Sequence, residues 1–372
     1  MRCSNRVLRI MYQKFRGVRI MAYSDIKDPS AHFNTIIYTH AVTPADRVFT
    51  FDGNSNLQPD ISWIKRRDTT TGHILQDSSR GVTKYFGPHT DAAESTYSGY
   101  LKSFNTNGLT IGGGDSATNQ GSGGTGVIWA WKAGGGTTSN NTDGDITSSV
   151  QVNSDAGFSI VTYTGNTSNN QTVGHGLGAV PGVILIRNRS RAETWRWNQS
   201  AVNNGTGMIQ LNNTVAYNTT GTTLMNVAAT SSVFSVSTDW SVNGNYPFVA
   251  YCWAEKQGYS KFGTYTGNGN ADGPFVYLGF KPAFLIMKET SSAGGNWVMF
   301  DNKRDPHNVT KHRLFPNLQN ADNTTRNYID LLSNGFKLRD TDADHNQSGE
   351  TMLYMAFAEN PFVAGGVPTT AR

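Results

Sequence analysis

PDISWIK at 59–65, PGVILIR at 181–187 and PAFLIMK at 282–288 are one heptad written three times. Each opens on proline, runs apolar, and ends on a base six positions later. The prolines lie 122 and 101 residues apart. Self-similarity at such a period marks a repeated supersecondary unit. Proline suits the start of a strand, where no ladder donor is required. Alternation then turns Ile61/Trp63, Val183/Leu185 and Phe284/Ile286 towards a core. Lys65, Arg187 and Lys288 are expected to end the strands in solvent, their stems lying over apolar surface.

Other marks keep step with the heptad. A Tyr-Thr strand precedes it at 36–40, 161–166 and 263–268, with Tyr163 and Tyr265 102 residues apart. HILQDSSR (73–80), TWRWNQ (194–199) and NWVMFDNKR (296–304) follow it, and Asp77/Arg80 recurs as Asp301/Arg304. Recurrence within a repeat favours a structural ion pair or turn clamp there. Each unit then closes on an aromatic strand that carries Trp131, Trp253 or Phe357. Turn signals every 8–12 residues and no long helical period predict an all-β chain. The expectation is three tandem antiparallel β-sandwich repeats, jelly-roll or concanavalin-like, of about 100–120 residues. The units span 31–133, 146–257 and 258–364, with a C-terminal tail at 365–372. The Gly/Thr/Asn run at 134–145 reads as a flexible linker, and one short helix is allowed within 90–104.

Charged residues make up 16% of the 372, against a usual ~25%. The net charge of +4 is uneven: residues 1–20 hold six Arg/Lys and no acid, so the remainder carries −2. A near-neutral body argues against a nucleic-acid partner. Residues 1–30 read as a basic arm that docks on a partner, or as an extension upstream of Met21. No apolar run is long enough to predict membrane insertion. Cys3 and Cys252 do not make a disulfide framework.

Candidate chemistry is sparse. Trp195, Trp197 and Trp240 give the second unit an aromatic cluster that, if exposed, stacks on sugars. Asp340, Asp342 and Asp344 alternate like the start of a calcium loop, although His345 and Thr351 stand where an EF-hand needs Gly and Glu. The predicted strands hold few acids, so no carboxylate pair for glycoside hydrolysis emerges, and a non-enzyme without cofactors is expected.

FNTIIYT (33–39), PDISWIKRRD (59–68), HILQDSSRG (73–81), IWAWKAGGG (128–136), AGFSIVTYTGN (156–166), GHGLGAVPGVILIRN (174–188), GYSKFGTYTGNGNADGPFVYLGFKPAFLIMK (258–288) and NWVMFDNKRDPHN (296–308) together resemble a repeated domain of virion proteins of tailed bacteriophages, marine ones especially. The resemblance covers most of the chain after residue 22 and departs at Tyr38-Thr39-His40, where the other units have glycine. It implies a virion structural protein of tandem β-sandwiches, in the tail or tail fibre and working in host attachment, or on the capsid exterior as decoration. The implied partners are other virion proteins and copies of the chain. A glycan-binding module that recognises host surface sugars is the other reading.

Overall fold

The computed structural model describes residues 24–121, 123–218, 224–291 and 293–361, together with the backbone of 363–364 and 367–368. The basic segment 1–20 lies outside the described residues, as do most of the residues of the 365–372 tail.

Strands account for nearly all of the regular structure. The first lobe contains β1 (Phe33–Thr39), β2 (Arg47–Phe49), β3 (Ile61–Arg66), β4 (Ile74–Asp77), β5 (Lys84–Tyr85), β6 (Ser95–Thr96), β7 (Leu101–Asn105), β8 (Gly108–Ile111) and β9 (Thr125–Trp131). The second has β10 (Ser139–Asn141), β11 (Ser148–Asn153), β12 (Phe158–Thr164), β13 (Gln171–Gly174), β14 (Val183–Asn188), β15 (Arg196–Gln199), β16 (Ile209–Gln210), β17 (Val233–Val236) and β18 (Pro247–Trp253). The third has β19 (Ser260–Thr266), β20 (Phe275–Tyr277), β21 (Phe280–Glu289), β22 (Val298–Asp301), β23 (Ile329–Leu332), β24 (Gly335–Leu338) and β25 (Thr351–Pro361). The stretch 90–104 holds β6 and the start of β7 rather than a helix. No helix among the described residues is long and apolar enough to cross a membrane.

One four-strand order recurs: β1-β9-β3-β4, then β12-β18-β14-β15 inside a seven-stranded sheet, then β19-β25-β21-β22. Register recurs too. Trp131 pairs with Phe33 and Ile61, Trp253 with Phe158 and Val183, Phe357 with Ser260 and Phe284. A small second sheet covers one face of each large one: β2-β8-β7, β13-β17 and β20-β24-β23. The Asn-Gly turns before β8 and β24 need glycine for close approach. A Cβ at Gly108 would meet the Phe49 carbonyl oxygen at 1.9 Å, and at Gly335 that of Val276 at 2.1 Å.

The other face of each large sheet turns to the middle of the molecule. Ile61, Trp63, Trp131, Val183, Leu185, Trp253, Phe284, Ile286 and Phe357 belong to one continuous apolar core there. Trp131 lies 6.4 Å from Trp253 and 5.6 Å from Phe357, ring centre to ring centre. A void of about 20 Å³ at this centre has only apolar side chains around it. The lobes are therefore not beads. Each heptad strand is buried on both sides, one residue parity facing the shared centre and the other the lobe's own sandwich.

Three matched seams close the ring. The Glu94 N–H donates to Arg189 O (2.8 Å), Tyr217 N–H to Thr290 O (2.9 Å), and Asp322 N–H to Arg67 O (2.7 Å). A ring nitrogen reinforces each seam: Trp195 Nε1 to Gly87 O (3.3 Å), Trp297 Nε1 to Gln210 O (2.8 Å), and His73 Nε2 to Phe315 O (3.0 Å). Trp63 Nε1–H donates to His73 Nδ1 at 2.9 Å, so the neutral His73 carries its proton on Nε2.

Two seams hold a buried ion network. Asp77 Oδ2 accepts from Arg80 Nε (2.5 Å) and Tyr251 Oη (2.6 Å), while Glu94 bridges Arg80 (3.0 Å) and Arg189 (2.9 Å). Likewise Asp301 accepts from Arg304 Nε (2.6 Å) and Trp129 Nε1 (3.0 Å), while Asp322 bridges Arg304 (2.8 Å) and Arg67 (2.7 Å). At the third seam Gln199 replaces the aspartate, and its amide donates to the carbonyls of Gly263 (2.9 Å) and Tyr354 (3.0 Å).

Two expectations need correcting. Lys65, Arg187 and Lys288 are fully buried, Arg187 beneath Asp91 and Ala92 of the first lobe. Their head groups donate to main-chain oxygens: Lys65 to Arg66, Lys288 to Glu289 (2.7 Å), Arg187 to Asp91 and Ala92. The supposed linker 134–145 is fixed rather than flexible. Buried Asp60 accepts from the N–H groups of Ala133 (2.7 Å), Gly135 (2.9 Å) and Gly136 (2.9 Å), and β10 then pairs with β11.

Candidate functional site

The Tyr-Thr strands explain one shared device. Tyr38, Tyr163 and Tyr265 each donate a hydroxyl to a carbonyl in a turn 79 or 80 residues downstream, that of Thr118, Val242 (2.6 Å) and His345 (2.7 Å). Each turn opens on an aspartate whose carboxylate caps an N–H two residues on: Asp115 to Ala117 (2.7 Å), Asp239 to Ser241 (2.8 Å), Asp342 to Asp344 (3.0 Å). A buried asparagine ends each turn and ties it to a neighbouring loop, Asn119 to Ala45 O, Asn243 to Ser168 O and Asn346 to Asn270 O.

The residue after the capping aspartate points out in all three lobes. It is Ser116, Trp240 or Ala343. Only the second lobe places a large ring there, and Trp240 is 52% exposed. Folding needs no indole at this position, because the other two turns form without one.

Trp240 sits within a built surface. The Arg191 guanidinium lies 5.0 Å from the Trp240 ring centre and 5.3 Å from that of Tyr246. It donates to Tyr246 Oη at 3.2 Å and approaches Glu193 at 3.5 Å. Asn188 fixes the loop: its Oδ1 accepts from the N–H groups of Ser190 (3.0 Å) and Arg191 (3.1 Å), and its Nδ2 donates to Trp240 O (3.2 Å). Underneath, Arg196 donates to Ser241 Oγ at 2.7 Å and stands 3.9 Å from Asp239. An aromatic face beside a guanidinium and carboxylates offers stacking and hydroxyl recognition together.

Trp240 is thus separated from the other two tryptophans of the sequence reading. Trp195 and Trp197 are fully buried. Trp195 anchors a seam, and Trp197 donates to Gln199 (3.2 Å) and packs 4.9 Å from Trp297. Neither presents a face to a sugar. Arg191 and Tyr246 were missed, although Tyr246 stands only six residues beyond Trp240. Nothing local in the sequence brings Arg191 to them.

The calcium reading of Asp340, Asp342 and Asp344 also falls. Among the described residues no three His, Cys, Asp or Glu side chains converge as metal ligands. Arg313 Nη1 occupies the place between Asp342 (3.0 Å) and Asp344 (3.6 Å), while its guanidinium lies over Phe315 and Tyr328. Burial alone would raise the Asp342 carboxyl, but Arg313 outweighs it and holds it below the usual range. Asp344 also accepts from Asn296 N–H at 2.7 Å, and Asp340 lies 2.8 Å from His345 Nε2.

The chain belongs to the family described as a domain of unknown function, DUF7483, whose model matches residues 28–361. That match runs from ahead of β1 to the end of β25, so it covers all three lobes and their seams. No curated protein and no solved structure matches the chain.

Proposed function

We propose that the chain is a non-enzymatic structural component of a bacteriophage virion, in the tail or tail fibre, that takes part in host attachment. The observation that carries the attachment role is Trp240, exposed at a position where the two matched turns have Ser116 and Ala343. The virion context comes from the sequence resemblance. The ligand class that fits the platform is a host surface glycan, since the indole stacks on a pyranose face while Arg191 and Glu193 reach its hydroxyls. Other virion proteins and further copies of the chain are the remaining partners. Many copies on one particle convert weak single contacts into firm adhesion.

Antibody-gold labelling of purified particles tests the placement. Label on the tail or fibre tips is the expected result. Label spread over the capsid favours exterior decoration instead, and particles free of label refute the virion reading. For attachment, particles carrying Trp240→Ala are expected to adsorb to host cells at least tenfold more slowly, with assembly unchanged. Unaltered adsorption removes the platform from the account.

A further inference from the structure

The seams, aligned with one another, reveal a place where one of them has been emptied. In the first seam Arg80, Glu94 and Arg189 fill the groove between lobes; in the closing seam Arg304, Asp322 and Arg67 do so. The corresponding residues between the second and third lobes are Val202, Tyr217 and Thr290. The main-chain bond Tyr217 N–H to Thr290 O is kept, so the lobes approach in the same way. Two guanidiniums and a carboxylate are gone together, and a cavity of about 430 Å³ stands there. Ligand sites are typically ~300–1,000 Å³.

We infer that this seam binds an uncharged saccharide. Ala201, Val202 and Tyr217 line the second-lobe side; Thr264, Thr290 and Thr351 line the other. Among the described residues none that line the cavity is charged, the Glu350 carboxylate standing behind the lining and accepting from Ser291 on its wall. This disfavours an ionic ligand, and threonine hydroxyls beside Tyr217 and aliphatic carbons suit a pyranose ring. Asn203 at its lip is held at φ 48° and Asn204 follows at φ 54°. Consecutive left-handed non-glycine residues are costly and cluster at binding sites. In the first lobe the place of Asn203 is taken by Gly81, which adopts φ 94° freely. The second lobe therefore keeps a side chain at the mouth of the cavity despite the strain. The inference does not rest on the virion reading, and the cavity is built from residues other than those of the Trp240 platform.

Saturation-transfer NMR on the full chain, with glucose, galactose, mannose, N-acetylglucosamine and their disaccharides as probes, tests it. At least one neutral sugar is expected to bind at millimolar concentration. Ala201→Trp and Thr264→Arg, both at exposed lining positions, are each expected to weaken that binding at least tenfold with circular dichroism unchanged. Two substitutions on opposite walls guard against one that misfolds. The inference is overturned if no probe binds, if both variants bind like the parent, or if binding vanishes in Trp240→Ala and survives in both cavity variants. That last result assigns the sugar to the platform, whereas cavity binding by a chain absent from particles would leave this inference standing and remove only the virion proposal.

Discussion

Removing the Asp77 carboxylate is the sharpest perturbation of the ring. Asp77 and Arg80 side chains are both 0% exposed, 2.5 Å apart. Burial alone would lower the Arg80 pKa; Asp77, with Tyr251 and Glu94, outweighs it and raises the pKa above the ordinary value. Asp77→Ala strips Arg80 of that partner and takes the acceptor from Tyr251. Breaking one side of a buried pair costs about 3–5 kcal/mol, and an orphaned buried hydroxyl about 1–3 kcal/mol. Arg80 retains Glu94 at 3.0 Å, so the lower ends apply and about 4 kcal/mol is expected. The double variant Asp77→Gln/Arg80→Val imports the Gln199/Val202 chemistry of the neutral seam and leaves Glu94 paired with Arg189. It removes more atoms yet should cost only about 2 kcal/mol, because no charge is stranded. Urea denaturation followed by tryptophan fluorescence measures both. A single variant within about 1 kcal/mol of the parent, or a double variant less stable than the single, would refute the reasoning.

Two further outcomes concern buried bases. Burial, followed by Lys65 and His89, pushes the His73 pKa well below its ordinary value. The unfolded chain then binds the extra proton, so stability is whole above about pH 6.5 and falls as pH drops below it, by up to about 1.4 kcal/mol per pH unit. His73→Gln should flatten that slope between pH 6.5 and 5 in denaturation midpoints; an unchanged slope would exclude His73 as its source. Lys65 is lowered to about 8, chiefly by burial, so the charged amine works against folding below the unfolded value near 10.5. Lys65→Met should raise stability at pH 7 by about 1–2 kcal/mol after the loss of its bond to Arg66 O, and a destabilised variant would show that this bond outweighs the desolvation.

Much of the architecture was legible because it repeats. Ile61/Trp63, Val183/Leu185 and Phe284/Ile286 all reach the core that their alternation demanded. The recurring Asp77/Arg80 and Asp301/Arg304 are ion pairs. What the sequence hid was contact between lobes. A base at a strand end signals solvent only if nothing lands on it; Asp91 and Ala92 of the first lobe land on Arg187, and Lys65 and Lys288 are just as fully buried. Glycines at 134–136 suggested slack, but Asp60, far off in sequence, gathers their N–H groups. At the platform, Trp240 was identifiable by type. Its separation from Trp195 and Trp197 needed the register of β15, which turns Trp197 inward, and the seam contact that buries Trp195 against Gly87.

A homotrimer built from one such lobe would be bound by its own symmetry: any change at one interface is made at all three. Fusion into a single chain lifts that constraint. Two junctions retain their ionic locks and carry the cohesion, so the third is free to shed its charges. By the same logic the Trp240 ring is displayed once per molecule, not three times. The body keeps the mechanical benefit of threefold closure while acquiring a front and a back, and its orientation on any larger assembly then becomes a choice with consequences.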